Sequence, residues 1–514
     1  MAAIISELQS TPKLWFKLKD KLSVVLIRQL RTIAGEKKLI DDITPLMHPA
    51  KKGVIIECKR PEFNHYTGQI YDKFKPIPLA SKGWHHKKSK GDHFIINKMT
   101  KDVDVKSERI TFEETGLDYR INSALTKFGF SQPTEVQERG IPSILLGCNT
   151  ALAAETGCGK TLAYLLPIMQ HILKWKKHME PPPMNCPLAL ILSPNRELAQ
   201  QIHDVIQMFS EDLQLTSKVI IGGHTKRMIL NPEFSDVDIL VGTLGAISKL
   251  TTLRIYKMSF VRHVVLDEAD TLLDDSFNEK LSYLLRFFAF NYKTNHSSGF
   301  FPSGSQLTLA SATMPRGATE TLQSFIATES LVSIKTKHLH HVLSTVKQHF
   351  IRLSATQRPQ ELLKLVKYSR DKPTIIFSTK TETSQWVSLF LNENGIDCLN
   401  LNGEMTPEAR AGKFAKFQKG LTNVISCTDI GSRGLNTTQV KHVINFEFPM
   451  YVADYIHRCG RTGRLGSSSD CRVTNFIVGA REVELVQKIE LSIRSRTELP
   501  NVNGNIKRLI VNRR

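Results

Sequence analysis

The chain contains 514 residues, of which 41% are hydrophobic, and carries a formal net charge of +20. This length predicts two or three domains with large buried cores. No apolar run reaches about 18 residues, so we expect no membrane span. The positive charge favours a polyanionic partner. The eight cysteines include no Cys-x-x-Cys spacing and several lie in apolar segments, which predicts reduced core thiols in a non-oxidising compartment.

Residues 1–110 are predicted to form a basic N-terminal extension, because they hold 22 Lys or Arg against 12 Asp or Glu. A solvated arm and a nucleic-acid-binding extension both fit this excess. Within the extension, residues 1–33 alternate basic residues such as Lys13, Lys17 and Arg28 with apolar residues such as Leu14 and Trp15. This basic amphipathic pattern resembles a mitochondrial presequence. A surface helix of a folded extension fits the same pattern.

From about residue 110 onward, short β-rich runs alternate with longer helical patterns, which is typical of a parallel sheet covered by helices. We therefore predict an α/β fold with two doubly wound parallel-sheet domains, at residues 111–335 and 342–500, and a short basic tail at residues 501–514. Loops are predicted at residues 174–187 and 291–305, and a last helix at residues 481–496. The β-rich runs occupy residues 188–193, 218–221, 238–241, 263–266 and 306–310, and then residues 373–377, 398–401, 423–426, 442–446 and 473–478.

A phosphate-binding loop is predicted between a β-rich run at residues 150–153 and a helical pattern at residues 162–173. Backbone N–H groups at a helix N-terminus bind anions because they lack partners within the helix. Lys160 is predicted to reach the outer phosphates of a nucleotide, and the Thr161 hydroxyl to coordinate Mg²⁺. The full motif, with Ala in place of the usual first glycine, is Ala154, Glu155, Thr156, Gly157, Cys158, Gly159, Lys160 and Thr161.

Three carboxylates stand at the end of a predicted buried strand, because Asp267, Glu268, Ala269 and Asp270 directly follow the apolar run at residues 263–266. This placement predicts a magnesium site. Asp267 is the expected metal partner, and Glu268 the candidate that orients and deprotonates the attacking water. Together with the phosphate-binding loop, the acidic segment predicts a nucleotide-hydrolysis site.

A basic segment lies in the predicted second domain, at residues 457–464, with the sequence HRCGRTGR. Arginines at glycine spacing place guanidinium groups on a compact loop. If the two domains close, Arg461 and Arg464 can meet the γ-phosphate as arginine fingers that stabilise charge on the transferring phosphoryl group. A phosphate-binding or surface-basic loop is the alternative.

Together these motifs resemble those of the DEAD-box RNA helicases, over about residues 110–480. The resemblance implies two tandem RecA-like domains, ATP and Mg²⁺ as cofactors, RNA as a partner, and RNA-stimulated ATP hydrolysis that locally separates short duplexes. Residues 129–137 resemble the adenine-recognition segment of the family, in which Gln137 contacts the adenine edge. Phe112, seventeen residues before Gly129, matches the aromatic residue that stacks on the base.

The family resemblance also implies coupling and RNA-contact residues. Residues 311–313, with the sequence SAT, resemble the linker motif that couples the acidic segment to the second domain when the domains close. The implied coupling residues are Ser311, Thr313, Asp270 and His457. RNA contacts are expected mainly to the backbone, with sequence-independent binding and steep salt dependence. The implied RNA contacts are Arg196, Gly222, Gly223, Thr243, Gly245, Arg410, Thr428 and Arg433.

Several positions depart from the family pattern, and they predict weaker RNA binding and weaker coupling than is typical. The P-loop, the acidic segment and the arginine fingers are complete, which favours an active ATPase. The departures are Asn195 for Thr, Leu244 for Pro, Ala246 for Arg, Asn402 for His, Pro407 for Gln and Asn436 for Asp.

Four segments, at residues 83–84, 92–94, 245–246 and 485–491, resemble a mitochondrial branch of the family that is linked to assembly of the large mitoribosomal subunit. This resemblance implies a monomer that binds ribosomal RNA and large-subunit precursors in the mitochondrial matrix, with nucleus and cytoplasm left open. Two other functions stay open. One is a non-catalytic, nucleotide-gated RNA clamp or assembly factor, and the other is a DNA-directed motor ATPase on the same two-domain plan.

Overall fold

The structure is a computed structural model of the chain. It describes residues 53–72, 74–98, 110–223, 225–290, 304–313, 322–327, 330–429, 437–464, 470–500 and 502. The described residues from Val54 onward belong to one compact unit. The predicted presequence-like segment, most of the predicted loop at residues 291–305 and most of the predicted basic tail lie outside the described residues.

The strands of the described residues are numbered in chain order. They are β1 Val54–Cys58, β2 His65–Tyr66, β3 His93–Ile96, β4 Asn149–Ala153, β5 Ala189–Ser193, β6 Ser217–Ile220, β7 Ile239–Thr243, β8 His263–Asp267, β9 Gln306–Ser311, β10 Leu331–Lys335, β11 Lys347–Arg352, β12 Thr374–Ser378, β13 Cys398–Leu401, β14 Val424–Thr428, β15 His442–Asn445 and β16 Arg472–Ile477.

The α-helices are numbered in the same way. They are α1 Tyr119–Lys127, α2 Glu135–Leu145, α3 Lys160–His178, α4 Arg196–Leu213, α5 Thr225–Leu230, α6 Leu244–Thr252, α7 Ala269–Leu272, α8 Asp275–Leu285, α9 Arg358–Tyr368, α10 Thr381–Glu393, α11 Pro407–Gln418, α12 Val452–Cys459 and α13 Ala480–Ser495.

The first domain is built on a seven-stranded sheet with the strand order β10-β4-β9-β8-β5-β7-β6. All neighbouring strands in this sheet are parallel. Every residue of β4, β5, β8 and β9 is buried, as expected for parallel strands covered by helices on both faces. The carboxyl ends of these strands lead into the phosphate-binding loop and the acidic segment, so the sheet brings both to one edge.

The second domain is built on a nine-stranded sheet with the order β13-β14-β12-β15-β16-β11-β3-β1-β2. Strands β13 to β11 in this order are parallel, whereas β3, β1 and β2 are antiparallel additions. The two RecA-like domains predicted from the sequence are therefore confirmed. All ten predicted β-rich runs overlap strands.

The structure of residues 54–96 differs from the prediction. The predicted basic extension over residues 1–110 does not anticipate that part of it forms strands of the second sheet. Strand β3 pairs with β11, with Phe94 opposite Phe350. These two rings stack at a centroid distance of 4.8 Å, and Trp84 packs against Phe94 at 5.5 Å. Trp84 is 1% exposed. This part of the predicted extension is therefore an integral layer of the second domain.

A buried ion pair on helix α13 fixes the same layer. Arg494 Nη2 lies 2.7 Å from Glu490 Oε1, with side chains 1% and 0% exposed. The Glu490 carboxylate also accepts hydrogen bonds from the backbone N–H of Ala80 at 2.8 Å and of Ser81 at 3.0 Å. Arg494 donates in turn to the carbonyl of Phe63 at 2.6 Å. Polar groups from segments far apart in sequence thus satisfy one another's hydrogen bonds in the core.

Three further predictions concern local features. Helix α3 continues to His178, so the loop predicted from residue 174 begins later than expected. All eight cysteines are free and six are buried, which agrees with their prediction as core thiols. In the part of the chain that the structure describes, no helix combines the length and apolar character needed to cross a bilayer.

Candidate active site

The phosphate-binding loop lies between the end of β4 and the start of α3, where the sequence predicted it. Gly157 and Gly159 adopt left-handed backbone conformations, with φ of 77° and 92°. Lys160 Nζ donates to the backbone carbonyls of Ala154 and Glu155, each at 2.7 Å. The Glu155 carboxylate accepts a hydrogen bond from Thr336 Oγ1 at 2.9 Å. The lysine therefore lies over the loop, within reach of any anion that the loop binds.

The two glycines are required by contact as well as by conformation. A Cβ on Gly159 would lie 2.5 Å from Gln137 Nε2, and a Cβ on Gly157 would lie 2.8 Å from Arg464 Cγ. A side chain at either position would displace these neighbours, since real Cβ atoms do not approach other atoms so closely. The loop thus packs against both the adenine-recognition segment and the second domain.

Gln137, at the start of α2, is held in one orientation by two hydrogen bonds. Its Oε1 accepts a hydrogen bond from the N–H of Thr134 at 3.0 Å. Its Nε2 donates to the carbonyl of Gly159 at 3.0 Å. The residue predicted to read the adenine is thereby tied to the phosphate-binding loop.

Phe112 belongs to the hydrophobic core of the first domain and is only 4% exposed. Its backbone carbonyl accepts a hydrogen bond from Thr115 Oγ1 at 2.6 Å, which fixes a short 3₁₀ turn. The described structure therefore presents Phe112 as a core side chain. Its stacking on a base stays a prediction.

Asp267 ends strand β8 and is 5% exposed. Its Oδ2 accepts a hydrogen bond from the Tyr164 hydroxyl on α3 at 2.8 Å, and its Oδ1 accepts one from the N–H of Glu268 at 2.9 Å. Burial raises the pKa of Asp267 to about 6, against the opposing effect of the Tyr164 hydrogen bond. A cation at this carboxylate would favour its ionised form, which suits a metal ligand.

Glu268 adopts a left-handed conformation with φ of 51° and ψ of 52°, at the start of α7. Such backbone is uncommon for residues other than glycine and is concentrated at functional sites. Glu268 Oε2 is buried and has no hydrogen-bond partner among the described residues. A buried carboxylate oxygen without a partner fits the predicted role of binding a water molecule. Thr161 at the start of α3 and Asp267 are the residues that would hold Mg²⁺.

Asp270 joins the two domains. Its Oδ2 lies 3.2 Å from His457 Nε2 on α12, and the side chains are 9% and 20% exposed. The same oxygen accepts a hydrogen bond from Thr313 Oγ1, while Ser311 Oγ donates to the carbonyl of Thr313. All four predicted coupling residues are therefore connected in one chain of hydrogen bonds. This chain runs from strand β9 of the first domain to α12 of the second.

The basic loop at the end of α12 packs directly against the phosphate-binding loop. A Cβ on Gly460 would lie 1.7 Å from Thr156 Oγ1, so only glycine permits this approach. Arg464 Nε donates to the carbonyl of Gly460 at 3.1 Å, and Arg461 is 4% exposed. Burial, and then the like charge of Arg461, lowers the pKa of Arg464 to about 9. Two guanidinium groups held together in this way favour an anion between them.

The neighbouring arginine, Arg458, was not singled out from the sequence and has a different role. It is 2% exposed and forms a two-pronged ion pair with Asp429, at 2.6 Å and 2.7 Å. It also donates to the carbonyl of Glu447 at 2.7 Å. Arg458 therefore holds the second domain together beneath the loop that carries Arg461 and Arg464. The Arg-x-x-Arg-x-x-Arg spacing could have indicated that one arginine points inward.

Three of the predicted RNA contacts lie together on the first domain. The guanidinium of Arg196, at the start of α4, packs on two glycines. A Cβ on Gly222 would lie 2.8 Å from Arg196 Nη2, and a Cβ on Gly223 would lie 3.3 Å from Nη1. A Cβ on Gly223 would also lie 3.6 Å from Glu408 Oε1 of the second domain. This cluster is therefore placed at the boundary between the domains.

Arg410 has a partner that the sequence did not indicate. Its Nη2 lies 2.6 Å from Glu197 Oε1 and its Nε donates to the same oxygen at 2.7 Å, with side chains 13% and 15% exposed. Arg410 lies on α11 of the second domain, whereas Glu197 lies on α4 of the first. The predicted RNA contact is thus engaged in a second ion pair between the domains.

The other predicted RNA contacts are Thr243, Gly245, Thr428 and Arg433. Thr243 precedes helix α6, and a Cβ on Gly245 would have no neighbour within 4 Å. Ala246 is 5% exposed and packs in the core, so the side chain that replaces the family arginine faces inward. Thr428 ends strand β14 and is 7% exposed. Arg433 lies outside the described residues, as does Asn436.

A P-loop in one RecA-like domain, with the arginine-bearing loop of a second domain packed against it, defines a two-domain ATPase whose site is shared between the domains. Comparison with known proteins gives the family. The DEAD/DEAH box helicase family matches residues 134–321, and the helicase conserved C-terminal domain matches residues 357–466. The chain belongs to the DEAD-box helicases and is an ATP-dependent RNA helicase, an enzyme that hydrolyses ATP.

The chain is similar to several individual helicases. It is 36% identical over 509 residues to the human protein named probable ATP-dependent RNA helicase DDX28, covering 95% of this chain and 92% of that protein. It is 31% identical over 389 residues to the ATP-dependent rRNA helicase RRP3 of Encephalitozoon cuniculi, covering 74% of this chain and 90% of that protein. Among solved structures, Mss116p bound to single-stranded RNA and AMP-PNP matches with a TM-score of 0.63 and 25% identity, over 76% of this chain and 79% of the other.

Proposed function

We propose that ATP and RNA together close the two domains and so complete an ATPase site that neither domain holds alone. The observation that carries this proposal is the ion pair between Asp270 and His457, whose atoms lie 3.2 Å apart. It links the acidic segment of the first domain to the basic loop of the second. A change in domain closure therefore acts directly on the residues beside the nucleotide.

Within the closed site, each residue has a chemical task. The backbone of residues 156–159 binds the phosphates, and Lys160 pairs with the outer ones as a point charge. Glu268 orients the attacking water and takes its proton. Arg461 and Arg464 stabilise the negative charge that develops on the transferring phosphoryl group. Mg²⁺ held by Thr161 and Asp267 would neutralise charge on the phosphates when bound.

RNA binding is coupled to closure through residues at the domain boundary. Arg196 packs on Gly222 and Gly223, and Glu408 of the second domain lies beside Gly223. A strand bound here contacts both domains only when they are close together. A strand bent across both domains cannot remain in an A-form duplex, so closure separates a short duplex locally, and hydrolysis reopens the cleft.

The choice of nucleic acid tests this proposal against its rivals. We expect the purified protein to release phosphate faster with single-stranded RNA than with DNA of the same sequence. Equal stimulation by DNA would support a DNA-directed motor. Nucleotide-dependent retention of RNA without turnover would support a non-catalytic clamp, for which the departures at Asn436 and Ala246 are the motivation.

We further propose that the target is ribosomal RNA in precursors of the large mitoribosomal subunit, bound by a monomer in the mitochondrial matrix. Two observations support this. The basic amphipathic pattern of residues 1–33 resembles a mitochondrial presequence. A relative that aligns with 74% of this chain is named an rRNA helicase.

Crosslinking the protein to RNA in cells and sequencing the attached RNA tests target and compartment together. We expect fragments of mitochondrial large-subunit ribosomal RNA. A Glu268→Gln variant provides the control, since slow hydrolysis should prolong the RNA-bound state and enrich the same fragments. Recovery of cytosolic messenger RNA alone would defeat the mitochondrial proposal and leave the ATPase proposal intact.

A further inference from the structure

A cluster of exposed lysines lies on the layer that residues 54–96 add to the second domain. We name Lys82, Lys87, Lys88 and Lys90 the lysine turn. All four side chains are exposed, and none forms an ion pair within the described residues. By contrast, nearby Lys59 and Arg60 share Asp92. The lysine turn is therefore a surface of uncompensated positive charge.

The backbone that carries these lysines is held rigidly. Arg352 at the end of β11 donates from Nε to the carbonyl of Trp84 at 2.9 Å, and its own carbonyl accepts a hydrogen bond from the N–H of Gly91 at 2.8 Å. Ser89 Oγ donates to the carbonyl of His86 at 2.7 Å. Two short 3₁₀ helices, Ala80–His85 and Lys87–Ser89, result. The backbone positions that carry the lysines are thus fixed, so binding does not require this segment to become ordered.

The lysine turn lies at the edge of the sheet where the second domain is expected to bind RNA. Strand β3 runs antiparallel to β11, with His93 opposite Ile351, so the residues just before β3 lie at the carboxyl ends of the parallel strands. The predicted RNA contacts Arg410 and Thr428 follow or end β13 and β14 at the same edge. In the strand order, β3 stands five places from β14 and six from β13. At about 4.8 Å per strand, these separations are roughly 24 Å and 29 Å.

We propose that the lysine turn is a second RNA-binding surface, which contacts the phosphate backbone of RNA that extends beyond the helicase cleft. Lysine ammonium groups bind phosphates as point charges and carry no sequence preference. A few nucleotides of single strand span the distance from the strands that carry the predicted RNA contacts. The surface would increase the time for which the enzyme stays on its RNA. This inference rests on the RNA binding of the proposed function but not on its target.

The test compares full-length wild-type protein with the Lys87→Ala/Lys88→Ala/Lys90→Ala variant. RNA affinity is measured over a range of salt concentrations, with a non-hydrolysable ATP analogue and two single-stranded RNAs, of roughly 8 and 25 nucleotides. For the longer RNA, we expect the slope of log affinity against log salt to fall by about 2, since each single-strand phosphate contact contributes about 0.7. Affinity should fall by about tenfold or more at low salt. For the shorter RNA, the salt slope and the affinity should both stay at wild-type values.

A charge-matched control separates a local surface from a general loss of positive charge. Lys367, Lys416 and Lys419 are exposed, and they lie on or just after α9 and α11, towards the opposite edge of the same sheet. Replacing these three with Ala should leave the salt slope for the longer RNA unchanged. The proposal is overturned if both triple variants behave alike, or if the lysine-turn variant matches wild type on the longer RNA. RNA-stimulated phosphate release by wild-type protein, measured in parallel, shows separately whether the proposed ATPase coupling holds.

Discussion

Asp270 and His457 form the shortest described connection between the catalytic segment of one domain and the basic loop of the other, with Oδ2 and Nε2 separated by 3.2 Å. The neighbouring Thr313 donates to the same Asp270 oxygen. The ion pair is therefore fixed from both sides, and it forms only when the domains are in contact. It therefore stabilises the closed arrangement of the domains and does not contribute to the folding of either domain.

This ion pair should make closure depend on pH. Burial alone would lower the pKa of His457, but the hydrogen bond and charge of Asp270 outweigh it, so the pKa is raised above 6.5. Burial also opposes the charge of Asp270, yet the hydrogen bond and charge of His457 hold the pKa of Asp270 well below its usual range. The contribution to closure is thus complete below about pH 6.5 and is lost as pH rises through the raised pKa of His457.

The measurement is RNA affinity from about pH 6 to pH 8 in the presence of a non-hydrolysable ATP analogue, a range that ends below the pKa of about 9 of Arg464. Each unit by which Asp270 raises the pKa of His457 should change the affinity by about tenfold. A His457→Gln variant keeps a hydrogen-bond donor but cannot titrate. In this variant, the decrease of affinity across the same pH range should disappear. A decrease of unchanged size in the variant would place the pH dependence elsewhere.

Replacing Glu268 with Gln should separate nucleotide binding from hydrolysis. The amide has nearly the same shape but cannot accept a proton from water, so turnover should fall by orders of magnitude while ATP and RNA binding persist. Steady-state phosphate release and nucleotide binding are measured on the same preparation. Unchanged turnover would remove Glu268 from its proposed role.

The close approach of Gly460 to Thr156 should make a single methyl group sufficient to block closure. In Gly460→Ala, the added Cβ would lie 1.7 Å from Thr156 Oγ1, so the two loops cannot adopt the described contact. RNA-stimulated ATP hydrolysis should fall by at least about tenfold, because the arginines no longer reach the phosphates. Thermal unfolding should change little, since the contact lies between domains.

Gly412→Ala is the matched control for this glycine. Gly412 lies within α11, and a Cβ there would meet no atom within 4 Å. Alanine favours a helix over glycine by about 1 kcal/mol, so this variant should be slightly stabilised and fully active. Equal loss of activity in the two variants would contradict the steric explanation.

The nucleotide site could be predicted from sequence because its residues stand in short segments at the ends of apolar strands. Lys160 and Glu268 are far apart in the chain, yet each follows a parallel strand, and the carboxyl ends of parallel strands meet at one edge of the sheet. The spacing of residues within each segment was therefore sufficient to predict the site. Phe112 shows the limit of the same approach. A single aromatic residue at a suitable spacing carries no information about its packing, and the structure places it in the core.

Contacts between distant segments could not be predicted in this way. The partners Arg410 and Glu197 are 213 positions apart, and nothing local to either residue indicates the other. Strands β1 to β3 were missed because the basic composition around them suggested a solvated arm. Their burial depends on Phe350 and Glu490, which lie hundreds of positions further along the chain.

The ion pair between Arg410 and Glu197 should be detectable as an energetic coupling between the domains. Its atoms lie 2.6 Å apart and both side chains are largely buried, so each charge reversal alone should weaken RNA-stimulated hydrolysis. The double variant Arg410→Glu/Glu197→Arg should recover part of the loss, with a coupling energy of about 1–3 kcal/mol. If Arg410 acts only by contacting RNA, the double variant will be as impaired as Arg410→Glu.

The buried pair Glu490 and Arg494 should determine whether residues 54–96 stay attached to the second domain. The Glu490 carboxylate pairs with Arg494 and also accepts hydrogen bonds from the backbone of Ala80 and Ser81. In Glu490→Gln, the arginine loses its counter-charge within the core, which should cost about 3–5 kcal/mol of stability. We expect a lower unfolding temperature and faster proteolysis within residues 54–96.

Glu484→Gln on the same helix is the control, because Glu484 is exposed and its loss should change stability by less than about 0.5 kcal/mol. The pair also gives a check on the lysine turn, whose position depends on this attachment through Trp84. Glu490→Gln should reproduce the weakened binding of the longer RNA, whereas Glu484→Gln should not. Normal protease resistance in Glu490→Gln would show that the aromatic packing of Trp84 and Phe94 against Phe350 is sufficient to hold the layer.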